Sequence, residues 1–316
     1  MRRIILDTDP GIDDALALFL ALASPEDVQV EAVTTVNGNV NVDHTTRNAL
    51  TLLELAGRTD IPVARGSSQP LVRDAIYAAF VHGDNGLGGL TLPAPHAQPV
   101  AQHAVDVIID RIMASPGELS LVPIGPLTNI ALAVRREPRI AALVREVVIM
   151  GGALRVPGNT TPVAEFNIFV DPHAAHIVFH AGWPIRLVAL DVTSRTTISR
   201  EQFSALAQNS HPVPQAIRQM TNFYFDVFAP AFGASAFHMH DPLCLAAAFQ
   251  PDLLTWEPAY VDVEIHSPLT MGATVAYFKR LDSRDAPITP NVQAATSVDA
   301  ERFQHMFLSR IEQHFS

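Results

Sequence analysis

The chain has 316 residues, and its 48% share of hydrophobic residues is enough for a substantial core in one large α/β domain or in two smaller domains. A formal net charge of −11 argues against nucleic acid and anionic membranes as partners, because most of the surface would repel both. With Cys244 as its single cysteine the chain can form no internal disulfide, and no apolar stretch approaches the ~20 residues of a membrane helix, so we expect a cytoplasmic protein that acts on a small molecule.

The first predicted strand, over residues 4–6, runs directly into an acidic loop over residues 7–14. This loop contains four aspartates: Asp7, Asp9, Asp13 and Asp14. A helix rich in Ala and Leu follows from Ala15, and capping of that helix accounts for one or two of the four. Carboxylates so close repel one another, and their pKa values rise unless a cation or several N–H donors neutralise them. This number of oxygen ligands suits a hard divalent ion, Ca²⁺ or Mg²⁺.

Strands and helices then alternate along the chain. The predicted strands are Val28 to Val36, Ile61 to Ala64, Leu119 to Ile124, Glu146 to Met150 and Ile185 to Leu190. The predicted helices are Val42 to Ala56, Ala101 to Ala114, one that begins at Ile130, and one from Asp171 to near Gly182. This alternation predicts an α/β fold with a mostly parallel, doubly wound (Rossmann-like) sheet.

Beyond Ser199 the pattern changes to helices with a small β element. The predicted helices are Glu201 to Gln208, Val213 to Phe228, Leu243 to Phe249 and Ala300 to His314. A strand from Tyr260 to Ile265 alternates strictly and pairs with a strand from Ala273 to Phe278. We expect these extra C-terminal helices and the added β element to belong to a single domain over residues 1–316.

One long segment, from Gly66 to Pro99, has no periodicity and accumulates Gly, Pro, Asn and Asp. A structureless stretch of this length inside a compact domain is usually functional. We therefore expect a mobile lid that brings His82 to the substrate when it closes.

The polar clusters of the chain each come directly after a predicted strand, as in residues 7–14, 37–39, 125–129 and 151–167. Ligands bind outside the carboxyl ends of the strands in doubly wound sheets, so these clusters should converge on one site. The converging side chains are acids (Asp9, Asp13, Asp14, Glu165, Asp241), amides (Asn39, Asn159, Asn167), histidines (His82, His238, His240) and aromatics (Phe166, Tyr224, Phe228). No phosphate-binding glycine loop is present, and this inventory suits a neutral, hydroxyl-bearing substrate with a flat ring.

Seven motifs in this order resemble the inosine-uridine nucleoside hydrolase family, from the first strand to the final helix. They are DTDPGIDDA from Asp7, TTVNGN from Thr34, HGDNGLGG from His82, PIGPLTNIALA from Pro123, MGGA from Met150, NTTPVAEFNIFVDPHAA from Asn159 and HDP from His240. The resemblance implies hydrolysis of the N-glycosidic bond of purine or pyrimidine ribonucleosides to ribose and free base.

The resemblance also implies a metal site. It assigns a Ca²⁺ ion to Asp9, Asp14, Asp241 and the backbone carbonyl of Ile124, with one water and the 2′ and 3′ hydroxyls of the ribose as further ligands. Asp9 is expected to take a proton from that metal-bound water.

The substrate residues that the resemblance implies are Asp13, Asn39, Asn159, Glu165 and Asn167 for the ribose hydroxyls, with Phe166 among them. Two asparagines have a purely structural alternative: Asn39 could occupy a left-handed turn, and Asn167 could cap the helix at Asp171. Tyr224 and Phe228, four residues apart on one helix face, border the nucleobase or belong to the core.

Of the 13 histidines, His240 is expected to protonate the leaving base, with Asp241 favouring its charged form, and His82 is the alternate donor. His238 is expected to be structural. His173, His176 and His180 share one predicted helix and are expected to be surface or packing residues instead of ligands.

Two other functions compete with this interpretation. A haloacid dehalogenase-like phosphatase also begins with Asp-x-Asp, but it needs Thr or Val where this chain has Gly11, and a lysine to hold phosphate. A catalytically idle nucleoside or ribose sensor would not need to retain both a base and an acid. We also expect the enzyme to form a homo-oligomer, a dimer or a tetramer.

Overall fold

The structure is a computed structural model that describes residues 1–233, 235–278 and 288–316. Its N-terminal part contains the strands β1 (Arg2–Thr8), β2 (Val28–Thr35), β3 (Val63–Arg65), β4 (Leu119–Pro123), β5 (Glu146–Met150) and β6 (Ile185–Val188). The helices of this part are α1 (Ile12–Leu22), α2 (Val42–Leu55), α3 (Ala79–His82), α4 (Ala104–Ala114), α5 (Thr128–Arg136), α6 (Ile140–Leu143), α7 (Phe166–Val170), α8 (Pro172–Phe179) and α9 (Leu190–Thr193).

The C-terminal part adds five strands and five helices among the described residues. The strands are β7 (Thr197–Ile198), β8 (Phe237–His238), β9 (Leu254–Val263), β10 (Thr274–Tyr277) and β11 (Val292–Val298). The α-helices are α10 (Arg200–Leu206), α11 (Pro212–Phe223), α12 (Ala229–Phe232), α13 (His240–Phe249) and α14 (Ala300–His314). A π-helical turn spans Tyr224–Phe228, and a 3₁₀ turn spans Pro251–Leu253.

The central sheet has nine strands in the order β10-β9-β11-β6-β5-β4-β1-β2-β3. Neighbouring strands from β3 to β6 are parallel, as are β6 and β11, whereas β9 is antiparallel to both β11 and β10. The mostly parallel, doubly wound sheet is thereby confirmed, and so is the predicted pairing of the two late strands. Strands β7 and β8 form a separate antiparallel pair.

Side chains of β1 explain why helices cover both faces of the sheet. Ile4 and Leu6 point into one apolar core together with residues of α1, α2 and α13, while Ile5 points into a second core with residues of α4, α5 and α8. Successive residues of a strand face opposite sides, so a strand that is apolar at consecutive positions must be buried on both. The carboxyl end of β1 is therefore held rigidly between two packed layers.

Several predicted boundaries were wrong. The strand expected from Ile185 to Leu190 stops at Val188, and the next residues form α9, because a short apolar run is compatible with either structure. The helix expected from Leu243 begins at His240, since a proline such as Pro242 is tolerated in the first turn. The helix expected from Val213 to Phe228 ends in the π-helical turn.

No helix in the described part of the chain is long and apolar enough to cross a membrane.

Candidate functional site

A cleft of about 340 Å³ lies beyond the carboxyl ends of β1, β2, β4 and β5. The sequence-predicted residues that line it are Asp13, Asn39, His82, Ile124, Asn159, Glu165, Phe166, Asn167, Tyr224, Phe228, His240 and Asp241. The predicted convergence of polar clusters from separate strands is therefore observed.

Asp9 and Asp14 are buried close to this cleft and do not line it. The Asp14 carboxylate accepts hydrogen bonds from the Thr8 hydroxyl at 2.6 Å, the Gly11 N–H at 2.9 Å and the Asn39 amide at 2.9 Å. Asp9 accepts the Asn39 N–H at 2.7 Å through Oδ2, whereas its buried Oδ1 has no hydrogen-bond partner. Asp9 thus has an unsatisfied oxygen in an interior that normally pairs every polar atom.

Two glycines make room for the Asp9 carboxylate. A Cβ atom at Gly38 would lie 2.0 Å from Asp9 Oδ2, and one at Gly125 would lie 2.3 Å from Asp9 Oδ1. The close approach of these two loops, from the ends of β2 and β4, therefore requires glycine at both positions.

Three buried acids, Asp13, Asp14 and Asp241, bring one oxygen each to within 4.8 Å of one another. Burial, with the charge of Asp14 as the next cause, raises the pKa of Asp13 to about 8. Burial also raises the pKa of Asp241 well above its usual range, and the charges of Asp13, Asp14 and Asp9 add to this. Such a cluster needs either protons or a cation to be stable, and its all-oxygen donor set fits a hard divalent ion.

The three clustered acids differ by one residue from the acidic metal ligands that the family resemblance implies. The trio contains Asp13, which the resemblance assigns to the sugar, and omits Asp9. The unpaired Oδ1 of Asp9 and its place in the field of Asp14 and Asp13 nevertheless connect it with the same cluster.

Glu165 and Asn167 are fixed by the start of α7. Glu165 caps this helix and accepts the N–H groups of Asn167, Ile168 and Gly152 at 2.9 to 3.1 Å. The Asn167 side-chain amide donates to the Ile124 carbonyl at 2.8 Å, so Ile124 and Asn167 meet at the cleft. Sequence reasoning did not find α7, although the AEFN motif contains its N-cap, Glu165.

The purely structural alternatives for Asn39 and Asn167 are both wrong. No residue other than glycine has a positive φ in the described part of the chain, so Asn39 does not occupy a left-handed turn. Helix α8 is capped by Asp171, which accepts the Ala174 N–H at 3.0 Å, and not by Asn167. Asp7 has a supporting position: it accepts the Asn129 amide at 2.9 Å and the Thr34 hydroxyl at 2.5 Å, linking β1 to α5 and β2.

The cleft histidines are neutral in this structure. Burial lowers the pKa of His82 to about 3, and its Nδ1 accepts the Ile12 N–H at 3.0 Å. Burial, followed by the neighbouring His238 and His82, lowers the pKa of His240 to about 3. The expectation that Asp241 keeps His240 charged is therefore wrong for the metal-free protein, because loss of hydration outweighs any nearby carboxylate.

His238, which the sequence predicts to be structural, also lines the cleft. Its ring is stacked on that of His240 with the centroids 5.5 Å apart, and its buried Nδ1 has no hydrogen-bond partner. Its position two residues before His240, on the short strand β8, was the available signal.

An aromatic wall closes one side of the cleft. Tyr224 and Phe228 both lie on the π-helical turn, with ring centroids 5.0 Å apart, and Phe237 packs against Tyr224 at 4.6 Å. Turns of this kind inside α-helices are frequent at functional sites. Sequence reasoning missed Phe237, Met150 and Thr160, which line the cleft too.

Comparisons with known proteins agree along nearly the whole chain. Residues 4–305 match the profile of the family described as inosine-uridine preferring nucleoside hydrolase. The chain is 39% identical over 315 residues to a protein of Arabidopsis thaliana named probable uridine nucleosidase 2. This alignment covers 98% of this chain and 97% of the relative.

Two solved structures share the fold. A plant nucleoside hydrolase superposes with a TM-score of 0.94 at 36% identity, covering 98% of this chain and 99% of the other. A purine-preferring ribonucleoside hydrolase from Gardnerella vaginalis superposes with a TM-score of 0.92 at 34% identity, covering 99% of both chains. The chain therefore belongs to the inosine-uridine preferring nucleoside hydrolase family.

Proposed function

We propose that this protein hydrolyses the N-glycosidic bond of ribonucleosides, releasing ribose and free base, with a Ca²⁺ ion held by Asp9, Asp14, Asp241 and the Ile124 carbonyl. The observation that carries the proposal is the buried acidic cluster next to a cleft walled by amides and aromatic rings. Family membership supports the reaction class and a metal requirement.

The residues present fit a hard cation. Asp9 Oδ1 is a buried acceptor without a partner, and burial, followed by the charges of neighbouring acids, raises the pKa values of Asp13 and Asp241. When bound, such an ion would supply positive charge that neutralises the carboxylates and favours binding of water and the ribose hydroxyls.

Asp9 is the proposed general base. In the metal-free protein, burial, with the charge of Asp14 next, raises its pKa well above the usual range of an aspartate. In the proposed reaction Asp9 accepts a proton from the attacking water. The loops of Gly38 and Gly125 hold its carboxylate in place during this transfer.

The cleft wall supplies the substrate contacts in this proposal. Asp13, Asn39, Asn159, Glu165 and Asn167 bind the ribose hydroxyls, and all five line the cleft. The aromatic side chains of Phe166, Tyr224 and Phe228 flank the nucleobase, since a flat ring packs well on them. His240 donates a hydrogen bond from its neutral ring N–H to the departing base, with His82 as the alternate donor.

The competing functions have less support. Among the described residues that line the cleft there is no lysine or arginine, so a phosphate group would find no positive side chain there. An idle sensor would have no need for a buried, unpaired Asp9 oxygen behind the binding cleft.

Base preference is proposed to be broad within ribonucleosides. One relative is named a uridine nucleosidase and one structural neighbour purine-preferring, so both base classes occur among similar proteins. Inosine, guanosine, adenosine, uridine and cytidine form the panel that tests this. Location in the cytoplasm and homo-oligomeric assembly stay predictions from the sequence, and light scattering measures the latter.

Release of ribose from that panel, with Ca²⁺ and with a chelator, tests the proposed reaction. We expect chelation to abolish release and Ca²⁺ to restore it. A 2′-deoxynucleoside should react at least a hundredfold more slowly, because each buried polar group left unpaired costs ~1 to 3 kcal/mol. Equal rates with uridine and deoxyuridine would contradict contacts to the 2′ hydroxyl, and no release from any nucleoside would favour the sensor.

Variants separate the roles of the acids. Asp14→Ala should lose both Ca²⁺ and activity, while Asp9→Asn should keep measurable Ca²⁺ binding and lose most turnover. Asp110→Asn, an exposed aspartate on α4, is the control and should match the wild type. Full turnover in Asp9→Asn would remove Asp9 as the base.

A further inference from the structure

A second cluster of possible metal ligands lies away from the cleft. It consists of His176 on α8, His180 directly after α8, and Asp262 on β9, and none of the three lines the cleft. The sequence alone suggested surface or packing roles for these histidines. Their arrangement in the fold indicates more than packing.

The distances in this cluster suit a small divalent ion. His176 Nδ1 lies 2.8 Å from Asp262 Oδ1, and His180 Nε2 lies 3.8 Å from Asp262 Oδ2. Two ligands of a tetrahedral Zn²⁺ ion, each about 2.1 Å from the metal, are about 3.4 Å apart. The observed separations lie on either side of this value, so small side-chain movements complete the site.

The hydrogen bond of His180 to the backbone selects the tautomer that a metal ligand needs. His180 Nδ1 lies 2.8 Å from the His176 carbonyl oxygen, which can only accept, so the proton of a neutral His180 sits on Nδ1. Its Nε2 lone pair then faces Asp262 and the Tyr260 hydroxyl, which is 3.3 Å away. A backbone carbonyl that fixes the distal ring nitrogen is the usual outer partner of a metal-binding histidine.

The site is open to solvent and therefore to an incoming ion. The side chains of His176 and His180 are 38% and 36% exposed, and both line a groove of about 460 Å³. Arg135 also lines this groove and opposes cation binding, but salt screens exposed charges.

We propose that His176, His180 and Asp262 bind a transition-metal ion of the Zn²⁺, Co²⁺ and Ni²⁺ class and thereby clamp α8 to β9. Two histidines one helical turn apart present their rings on the same helix face, and their centroids here are 4.4 Å apart. Imidazole ligands favour this class of metal, whereas the all-oxygen cluster of the cleft favours Ca²⁺. The site does not depend on the proposed catalytic function.

Titration of the Ca²⁺-saturated enzyme with Zn²⁺, followed by calorimetry and by thermal unfolding, tests this site. Saturation with Ca²⁺ keeps the cleft carboxylates occupied. We expect one equivalent of Zn²⁺ to bind and to raise Tm, and Co²⁺ to give a visible absorption band typical of nitrogen ligation. His180→Ala should weaken Zn²⁺ binding about 100-fold and remove the Tm rise, since loss of even an outer partner costs about 10- to 100-fold.

Two further variants make the test decisive. Asp262→Asn keeps the side-chain volume and should also weaken binding, while His305→Ala, an exposed histidine on α14, should bind as the wild type does. Ribonucleoside hydrolysis by His180→Ala should match the wild type, which shows that the variant is folded. The proposal is overturned if His180→Ala binds Zn²⁺ as tightly as the wild type, or if Asp14→Ala is the variant that loses the ion.

Discussion

The Thr193 hydroxyl contacts the ring of His240 on the side away from its free Nε2 atom. Its hydroxyl lies 2.7 Å from His240 Nδ1, and Thr193 itself is fully buried at the end of α9. Because His240 is neutral, only one ring nitrogen carries a proton. When the Thr193 hydroxyl donates a hydrogen bond to Nδ1, the single ring proton of His240 lies on Nε2. Nε2 is then the nitrogen that can contact a departing base.

The variants Thr193→Val and His240→Ala test whether Thr193 sets the ring proton of His240 on Nε2. We expect His240→Ala to lower kcat on inosine or uridine about 100-fold or more, and Thr193→Val, which keeps the ring but not its partner, about tenfold. A ribose carrying nitrophenolate should be nearly unaffected by either change, because that group leaves without a proton.

The two substrates separate proton donation from general positioning. Equal slowing of nucleoside and nitrophenyl riboside would show that His240 positions the site and gives the departing base no hydrogen bond. If neither substrate slows, His82→Ala is the next variant, since His82 lines the same cleft.

Sequence reasoning identified the cleft residues but not their ionisation. The motifs supplied Asp13, Asn39, Glu165 and Asn167, because each follows a strand end where a doubly wound sheet binds ligands. The depressed pKa of His240 depends on how much water the surrounding helices exclude, and no local pattern encodes that. Phe237 was missed because it lies on β8, a two-residue strand that pairs with the distant β7 and has no local signal.

At the scale of elements, the segment from residue 66 to 99 is tied to the acidic loop at two points. His82 accepts the Ile12 N–H, and the Asn48 side chain donates to the Pro10 carbonyl at 3.0 Å and to the Asn85 carbonyl at 2.8 Å. His82 thus already lines the cleft without a ligand, whereas the sequence suggested that it arrives only on closure. Opening the segment requires both ties to break.

Asn48→Ala tests the second tie. Losing two hydrogen bonds of ~1 kcal/mol each should speed amide exchange in residues 82–90 roughly 30-fold and lower kcat/KM. Hydrogen exchange followed by mass spectrometry measures this, with and without a ribose-like inhibitor, which should slow exchange if the segment is a lid. Thr51→Ala, on the same helix with a hydroxyl bonded only to the Arg47 carbonyl at 2.8 Å, is the control.

Unchanged exchange in Asn48→Ala would show that the hydrogen bonds of Asn48 do not limit opening of this segment. Exchange that is equally slow with and without the inhibitor would contradict a lid.

The elements that sequence reasoning missed are those defined by distant partners. The residues of β11 (Val292–Val298) have no clear strand pattern in the sequence. In the structure this strand lies between β6 and β9 and completes the sheet. Helix α7 has five residues and is held by the Glu165 cap, a length at which helical periodicity is not visible. Local periodicity was sufficient for the helix α14 and the strand β5, both of which have the predicted boundaries.

For the whole molecule, the order of strands explains why one edge carries the chemistry. Strands β2, β1, β4 and β5 are neighbours, so the loops after them meet although residues 7 and 150 are far apart in sequence. The right-handed crossover rule narrows the possible strand orders, but the alternation of strands and helices does not by itself select this one. That residues 1–316 form one domain stays a prediction, which a single cooperative unfolding transition would support.

The buried acids should also make the stability of the metal-free protein depend on pH. Burial raises the pKa of Asp7 to about 7 and that of Asp13 to about 8, against about 3.9 in the unfolded chain. The folded state therefore binds more protons, and its stability from these groups is complete below about pH 4 and is lost as pH rises through about 7 to 8. His82 and His240, with pKa values lowered to about 3, act in the opposite direction, but only up to about pH 6.5, where unfolded histidine loses its proton.

Between about pH 7 and about pH 8.5 the acids alone remain, so Tm in the presence of a chelator should fall across this window. Saturating Ca²⁺ should flatten the fall, because the ion favours the ionised carboxylates and its binding releases their protons. Asp7→Asn should reduce the slope in the chelator without abolishing the gain from Ca²⁺, since Asp7 bonds to Thr34 and Asn129 and not to the acidic trio. Thermal unfolding at several pH values with and without Ca²⁺ measures all three effects. Identical slopes in the two conditions would mean that the ion does not bind the acids of the cleft, and the proposed metal site would have to be abandoned.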